Sequence, residues 1–152
     1  MKKILLSITS LLLLGIVNIN AQEIIANRGY WKTEGYSKNS IASLIKADEI
    51  KVYGSEVDIW LSSDGVPVVN HDAHVTLNGE SLIVQETPLA TLRKVKLSNG
   101  ETLPTVEEYL DAFKKCENIK LIIEFKTHKT KESEDELARK VIDMVKAKGV
   151  QD

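Results

Sequence analysis

Tyr53-Gly54-Ser55-Glu56-Val57-Asp58-Ile59-Trp60-Leu61-Ser62 is the stretch on which the reading of this chain turns. Val57, Ile59 and Leu61 alternate with Glu56, Asp58 and Trp60, the two-residue period of a strand. Asp64-Gly65 ends the run, and Val66 to Asn70 is extended again. Glu56 and Asp58 therefore point to one face, with Cα atoms roughly 6.5–7 Å apart at about 3.3 Å per residue. Carboxylates that close repel each other and lose hydration when partly buried. A hard cation between them removes both penalties. A solvated strand face carries the same spacing, so the pattern leaves both readings open. If Asp64-Gly65 closes a two-residue hairpin, Ser63 faces Val66 and Asp58 faces His71. An imidazole would then stand beside the acids, where a proton donor or acceptor is useful. The same pairing also serves simply to fasten a hairpin.

Outward from this strand, helix and strand signals alternate. Glu23 to Asn27 is a short strand followed by Arg28-Gly29. Ser40 to Ile50 carries Ile41, Leu44 and Ile45 at helical spacing. Asn78-Gly79, between His74–Leu77 and Glu80–Val84, is a hairpin signal. Thr105-Val106-Glu107-Glu108 is a capping box, opening a helix with Val106, Tyr109, Leu110 and Phe113 on one face. Lys120 to Lys126 is a strand whose Glu124 shares a face with Ile122 and Lys126. Glu124 is either a third acid of the site or one half of an internal pair with Lys126. Ser133 to Glu136 is a second capping box, before a helix with Leu137, Val141, Met144 and Val145 inward and Gly149 as its stop.

Strands separated by helices of this length predict parallel βαβ units. A closed (β/α)₈ barrel needs about 200 residues or more, and this chain has 152. The expected fold class is α/β, the N-terminal part of a (β/α)₈ TIM-type barrel that is incomplete in this chain. A small open α/β sheet is the alternative.

Hydrophobic residues make up 43% of the chain and charged residues 28%, which excludes collagen-like and strongly disordered classes. A net charge of −2 excludes a simple polycationic nucleic-acid binder. Cys116 is the sole cysteine, so no internal disulfide and no cysteine metal knuckle can form. Residues 1–21 read as a signal peptide. Lys2 and Lys3 are the basic end, Ile4 to Val17 is the apolar run, and Ala21 is the small residue at the cleavage point. Residues 22–152 are then the domain, with no stable membrane span after cleavage, in the periplasm or secreted.

Six ordered blocks resemble a known family. They are Ile25-Ala26-Asn27-Arg28-Gly29-Tyr30-Trp31, Asn39-Ser40-Ile41-Ala42, Gly54 to Leu61, Ser63 to Asp72, Leu103 to Leu110, and Lys120 to Lys126. At this spacing they are similar to the glycerophosphodiester phosphodiesterases. The resemblance implies a (β/α)₈ barrel with a divalent-metal site at the strand C-terminal ends, holding Mg²⁺ or Ca²⁺. It implies Glu56, Asp58 and Glu124 as metal ligands, Arg28 and Lys126 on the substrate phosphate, and His71 as one of two catalytic histidines. A small glycerophosphodiester would be cleaved to glycerol 3-phosphate and an alcohol. Where the family opens on His-Arg-Gly, this chain has Asn27-Arg28-Gly29. Asn27 can hydrogen-bond but cannot exchange a proton near neutral pH, and with the closing half of the barrel also missing, negligible turnover is expected. Lys38 stands where the family usually has an acid or amide. The chain stops where a further strand is expected, as in the front part of a longer barrel. A phosphate- or metal-binding relative without catalysis, and a truncated gene product, are the alternatives. His74 and His128 are expected in solvent.

Overall fold

The computed structural model describes residues 22–151, and the signal-like stretch 1–21 lies outside the described residues. Its centre is β2 (Gly54–Leu61), buried along its whole length. β6 (Lys120–Phe125) runs parallel to β2, with Asp58 beside Glu124 and Ile59 beside Phe125. The opposite edge of β2 is shared. β1 (Ile25–Ala26) lies parallel along its first residues, and β3 (Pro67–Val69) lies antiparallel along its last. A second, two-stranded sheet is formed by β4 (His74–Leu77) and β5 (Glu80–Ile83), paired Leu77 to Glu80 across Asn78-Gly79 as the sequence predicts.

Three helices cover one face of the main sheet. They are α1 (Ile41–Glu49), α3 (Val106–Phe113) and α4 (Lys131–Lys148). Val57, Ile59 and Leu61 meet Leu44, Tyr109, Leu110, Leu137 and Val141 there in one core. Each such side chain contributes about 1.5–3 kcal/mol by leaving water, which fixes the parity of β2 and sends Glu56 and Asp58 to the other face. A smaller core gathers Trp60, Val68, Val75, Val84, Leu92, Val95 and Leu103 beneath the β4–β5 hairpin. It includes two elements the sequence did not announce, a 3₁₀ turn at Val84–Glu86 and the single-turn α2 (Leu89–Leu92). No helix among the described residues is long and apolar enough to cross a membrane.

A side-chain cap starts each of α1, α3 and α4, and in α4 it is not the one the sequence suggests. Ser40 caps α1, and the Thr105–Glu108 box caps α3 with both reciprocal bonds made. α4 begins earlier than the Ser133 box implies. Thr130 is the cap, its hydroxyl accepting the Ser133 N–H, which leaves Ser133 inside the first turn and Glu136 free to pair with Lys140 at 2.8 Å. The end at Gly149 agrees with the sequence.

The hairpin after β2 also differs. Its loop has three residues, Ser63-Asp64-Gly65, closing on Ser62 and Val66 through Ser62 N–H to Val66 C=O at 2.9 Å. Gly65 takes φ +73, the left-handed residue that such a loop requires. Asp64 accepts from Ser62 Oγ at 2.7 Å and from Leu89 N–H at 2.9 Å, fastening the longer loop. Ile59 pairs with Val69, so the register is one residue off the two-residue expectation. Asn70, not His71, donates its N–H to Asp58 C=O, at 3.1 Å.

Candidate metal and phosphate site

β2 and β6 run parallel in a register that sets Asp58 beside Glu124, and Glu56 precedes Asp58 by one pleat. Three carboxylates from two strands thus reach one point. Glu56, Asp58 and Glu124 each offer an oxygen within 4.8 Å of the other two. Asp58 is 1% exposed at its side chain, whereas Glu124 opens to solvent at 52%.

The chain around β1 is bent to serve this cluster. Arg28 and Gly29 both have left-handed φ, +60 and +76. That bend aims the Arg28 N–H at Glu56 Oε2, 2.8 Å away. A Cβ on Gly29 would overlap the Ser43 side chain, so only glycine lets this loop press against α1. Arg28 Nε lies 3.6 Å from Asp58 Oδ2, an ion pair without a hydrogen bond. Lys126, just past β6, places Nζ 2.7 Å from Asp58 Oδ1 and 2.6 Å from Glu124 Oε1. The internal Glu124–Lys126 pair weighed from the sequence is therefore formed, and it includes Asp58.

Burial raises the Glu56 pKa. The Arg28 N–H opposes this, and the charges of Asp58 and Glu124 add to it, leaving a net rise. Partial burial opposes charge on Lys126, but its hydrogen bonds to Asp58 and Glu124 outweigh that and hold its pKa above the ordinary lysine value. Glu56 Oε1 is buried with no hydrogen-bond partner. A buried acceptor left unpaired costs about 1–3 kcal/mol. A divalent cation would satisfy it, and an all-carboxylate donor set suits a hard ion. The residues present fit a divalent cation.

Two residues without an assigned role in the sequence reading complete the site. Asn39, buried and at φ +58, donates Nδ2–H to Asp58 Oδ2 at 2.9 Å and accepts the Asp58 N–H on Oδ1 at 3.3 Å. The Asn39-Ser40 pair before a helix was the available signal, since asparagine tolerates left-handed φ. His128 is buried, not solvated. Its Nε2 accepts the Leu61 N–H at 2.9 Å, and Nδ1 lies 2.7 Å from Lys126 C=O. The remaining expected residues bond other partners. Asn27 is exposed at the end of β1, with its C=O accepting from Trp31 Nε1 at 3.1 Å. His71 is half-buried, and its ring bonds Asp72 at 2.7 Å, not Asp58. Lys38 lies over the Trp31 ring, 4.6 Å from its centroid.

A model of the Glycerophosphoryl diester phosphodiesterase family matches residues 28–152. The chain belongs to the glycerophosphoryl diester phosphodiesterase family. A glycerophosphodiester phosphodiesterase from Parabacteroides distasonis is 47% identical, with TM-score 0.78 over 84% of this chain and 52% of that one. An Oleispira antarctica phosphodiesterase, solved with the product sn-glycerol-3-phosphate, is 26% identical, with TM-score 0.69 over 86% of this chain and 54% of that one. The glycerophosphodiester phosphodiesterase of Caldanaerobacter subterraneus subsp. tengcongensis is 34% identical over 97 residues, 58% of this chain and 39% of that protein. The chain spans about half the length of the solved relatives it matches, and less of the curated one. In this family the parallel strands β1, β2 and β6, with α1, α3 and α4 outside them, are the N-terminal part of a (β/α)₈ barrel.

Proposed function

We propose that this chain, as residues 22–152, carries the cation- and phosphate-holding part of a glycerophosphodiester phosphodiesterase. Its substrate is a small glycerophosphodiester, and its products are glycerol 3-phosphate and an alcohol. The observation that carries this reading is the convergence of Glu56, Asp58 and Glu124 within 4.8 Å, beside the cations of Arg28 and Lys126. Mg²⁺ or Ca²⁺ is the resident ion, because every donor is a carboxylate oxygen. Such an ion, when bound, polarises a phosphoryl oxygen.

The chain's own residues divide the remaining work. Arg28 and Lys126 bind phosphate oxygens. Arg28 also holds Glu56 through its backbone N–H, so one loop serves both the acid and the anion. His71 moves one proton. Asn27 orients the phosphate but cannot take or give the second proton, and loss of one general acid or base typically costs about 10²–10⁴-fold in rate. Binding without efficient turnover is the second reading, and the Asn27 amide is what favours it. The basic Lys2-Lys3 and the apolar run after them support export to the periplasm or beyond, where the substrate would be a product of lipid breakdown.

Calorimetry tests the reading. Mg²⁺ or Ca²⁺ should bind, and glycerol 3-phosphate should bind more tightly in its presence. Both effects should be lost in Asp58→Asn. Glycerol 3-phosphate binding that ignores both the cation and Asp58 would overturn the site.

A further inference from the structure

Lys126 is attached to the acid cluster in a particular way. Its N–H donates to Ile59 C=O at 3.2 Å, the last bond of the β2–β6 ladder. In this register the next bond would join Leu61 N–H to Lys126 C=O. The His128 ring stands between those two groups instead. Leu61 N–H donates to Nε2 at 2.9 Å, and Nδ1–H donates to Lys126 C=O at 2.7 Å. The ring is further held against Trp60, with centroids 5.1 Å apart, while the His128 N–H donates to Glu134 Oε1 at 3.1 Å. The strand ends are thus wedged apart by a neutral imidazole, and the Lys126 backbone is anchored on both sides. Only the four-carbon side chain of Lys126 is left free to swing.

Its ammonium spends that freedom on two oxygens of the candidate metal cluster, Asp58 Oδ1 at 2.7 Å and Glu124 Oε1 at 2.6 Å. Divalent cations bind carboxylate oxygens at about 2.0–2.6 Å. An ion and an ammonium on the same two oxygens would be less than about 4 Å apart, beside an Asp58 side chain that is 1% exposed. We propose that Lys126 is the built-in occupant of the acid cluster: its ammonium and a divalent cation exclude one another, and it is released toward the phosphate only when a cation binds. The proposal rests on the reading of these three acids as a metal site. It gives Lys126 two roles, keeping three acids together without metal and binding the anion with metal.

Acylation of lysine amines in the full chain, read by mass spectrometry, tests this with Mg²⁺ and Ca²⁺ each absent or saturating. Labelling at Lys126 should rise several-fold with the cation, while labelling at Lys38 stays constant. By calorimetry, Lys126→Met should bind the cation about tenfold more tightly or better. A wild-type chain that is saturated with cation while Lys126 labelling is unchanged or lower overturns this proposal and leaves the metal site standing. Cation binding by Lys126→Met alone supports it, as the limit of strong exclusion. Binding by neither protein overturns both the metal site and the exclusion.

Discussion

Asn39 grips Asp58 at both ends, its Nδ2 donating to the carboxylate at 2.9 Å and its Oδ1 accepting the backbone N–H at 3.3 Å. A buried acid with this partner has one orientation, and its other oxygen is left for Lys126 or a cation. Asn39→Ala removes both bonds at a left-handed φ that alanine tolerates poorly. It should destabilise the chain by about 1–3 kcal/mol, read as a lower urea midpoint. Cation affinity should fall with it, because Asp58 then has no fixed rotamer.

Glu56 should make stability depend on pH in a defined sense. Its folded pKa is raised above the ordinary 4.5, chiefly by burial. The folded chain therefore holds this proton more tightly than the unfolded chain. Stability falls as pH rises from 4.5 through the raised value, and the full cost is present above it. Glu56→Gln should be more stable than wild type at neutral pH without cation. The gap should close as the pH approaches about 4, near the ordinary glutamate value, and saturating Mg²⁺ should reverse the order at neutral pH. Urea midpoints across that range check each part.

His128→Ala should leave the Leu61 N–H and the Lys126 C=O without their ring partner. Each unpaired buried group costs about 1–3 kcal/mol. The expected result is a loss of stability together with faster amide exchange at Leu61. Unchanged exchange there would contradict the wedge.

Asn27 should limit turnover. In a chimera completed with the C-terminal half of a family relative, Asn27→His should release glycerol 3-phosphate at least about 10²-fold faster than the same chimera with Asn27. Replacing His71 by Ala in the faster chimera should cancel the gain. Equal rates with and without the Asn27→His substitution would mean that this position handles no proton.

Strand, helix and cap were legible in the sequence wherever one periodicity or one short motif decides them. The β2 alternation, the Asn78-Gly79 hairpin and the Thr105–Glu108 box are cases where local sterics and hydrogen bonds suffice. The same alternation sent Glu56 and Asp58 to one face. The hairpin register was not legible, because Asp64-Gly65 is compatible with loops of two or three residues. Contacts to Leu89, 25 residues away, favour the longer one. That difference replaced His71 by Asn70 opposite Asp58.

What the sequence determined by itself is therefore the order of the elements and the acids that share a face, since both follow from bonds between near neighbours. What only the tertiary structure decided is how distant segments satisfy one another. Asn39 closes on Asp58, the Arg28 N–H on Glu56, and the His128 ring on the Leu61 N–H at the end of β2. Each of these joins residues 19 to 67 positions apart. No periodicity encodes such a pairing, because its driving force is the cost of leaving a buried polar group unbonded, and that cost exists only once the chain has closed around it.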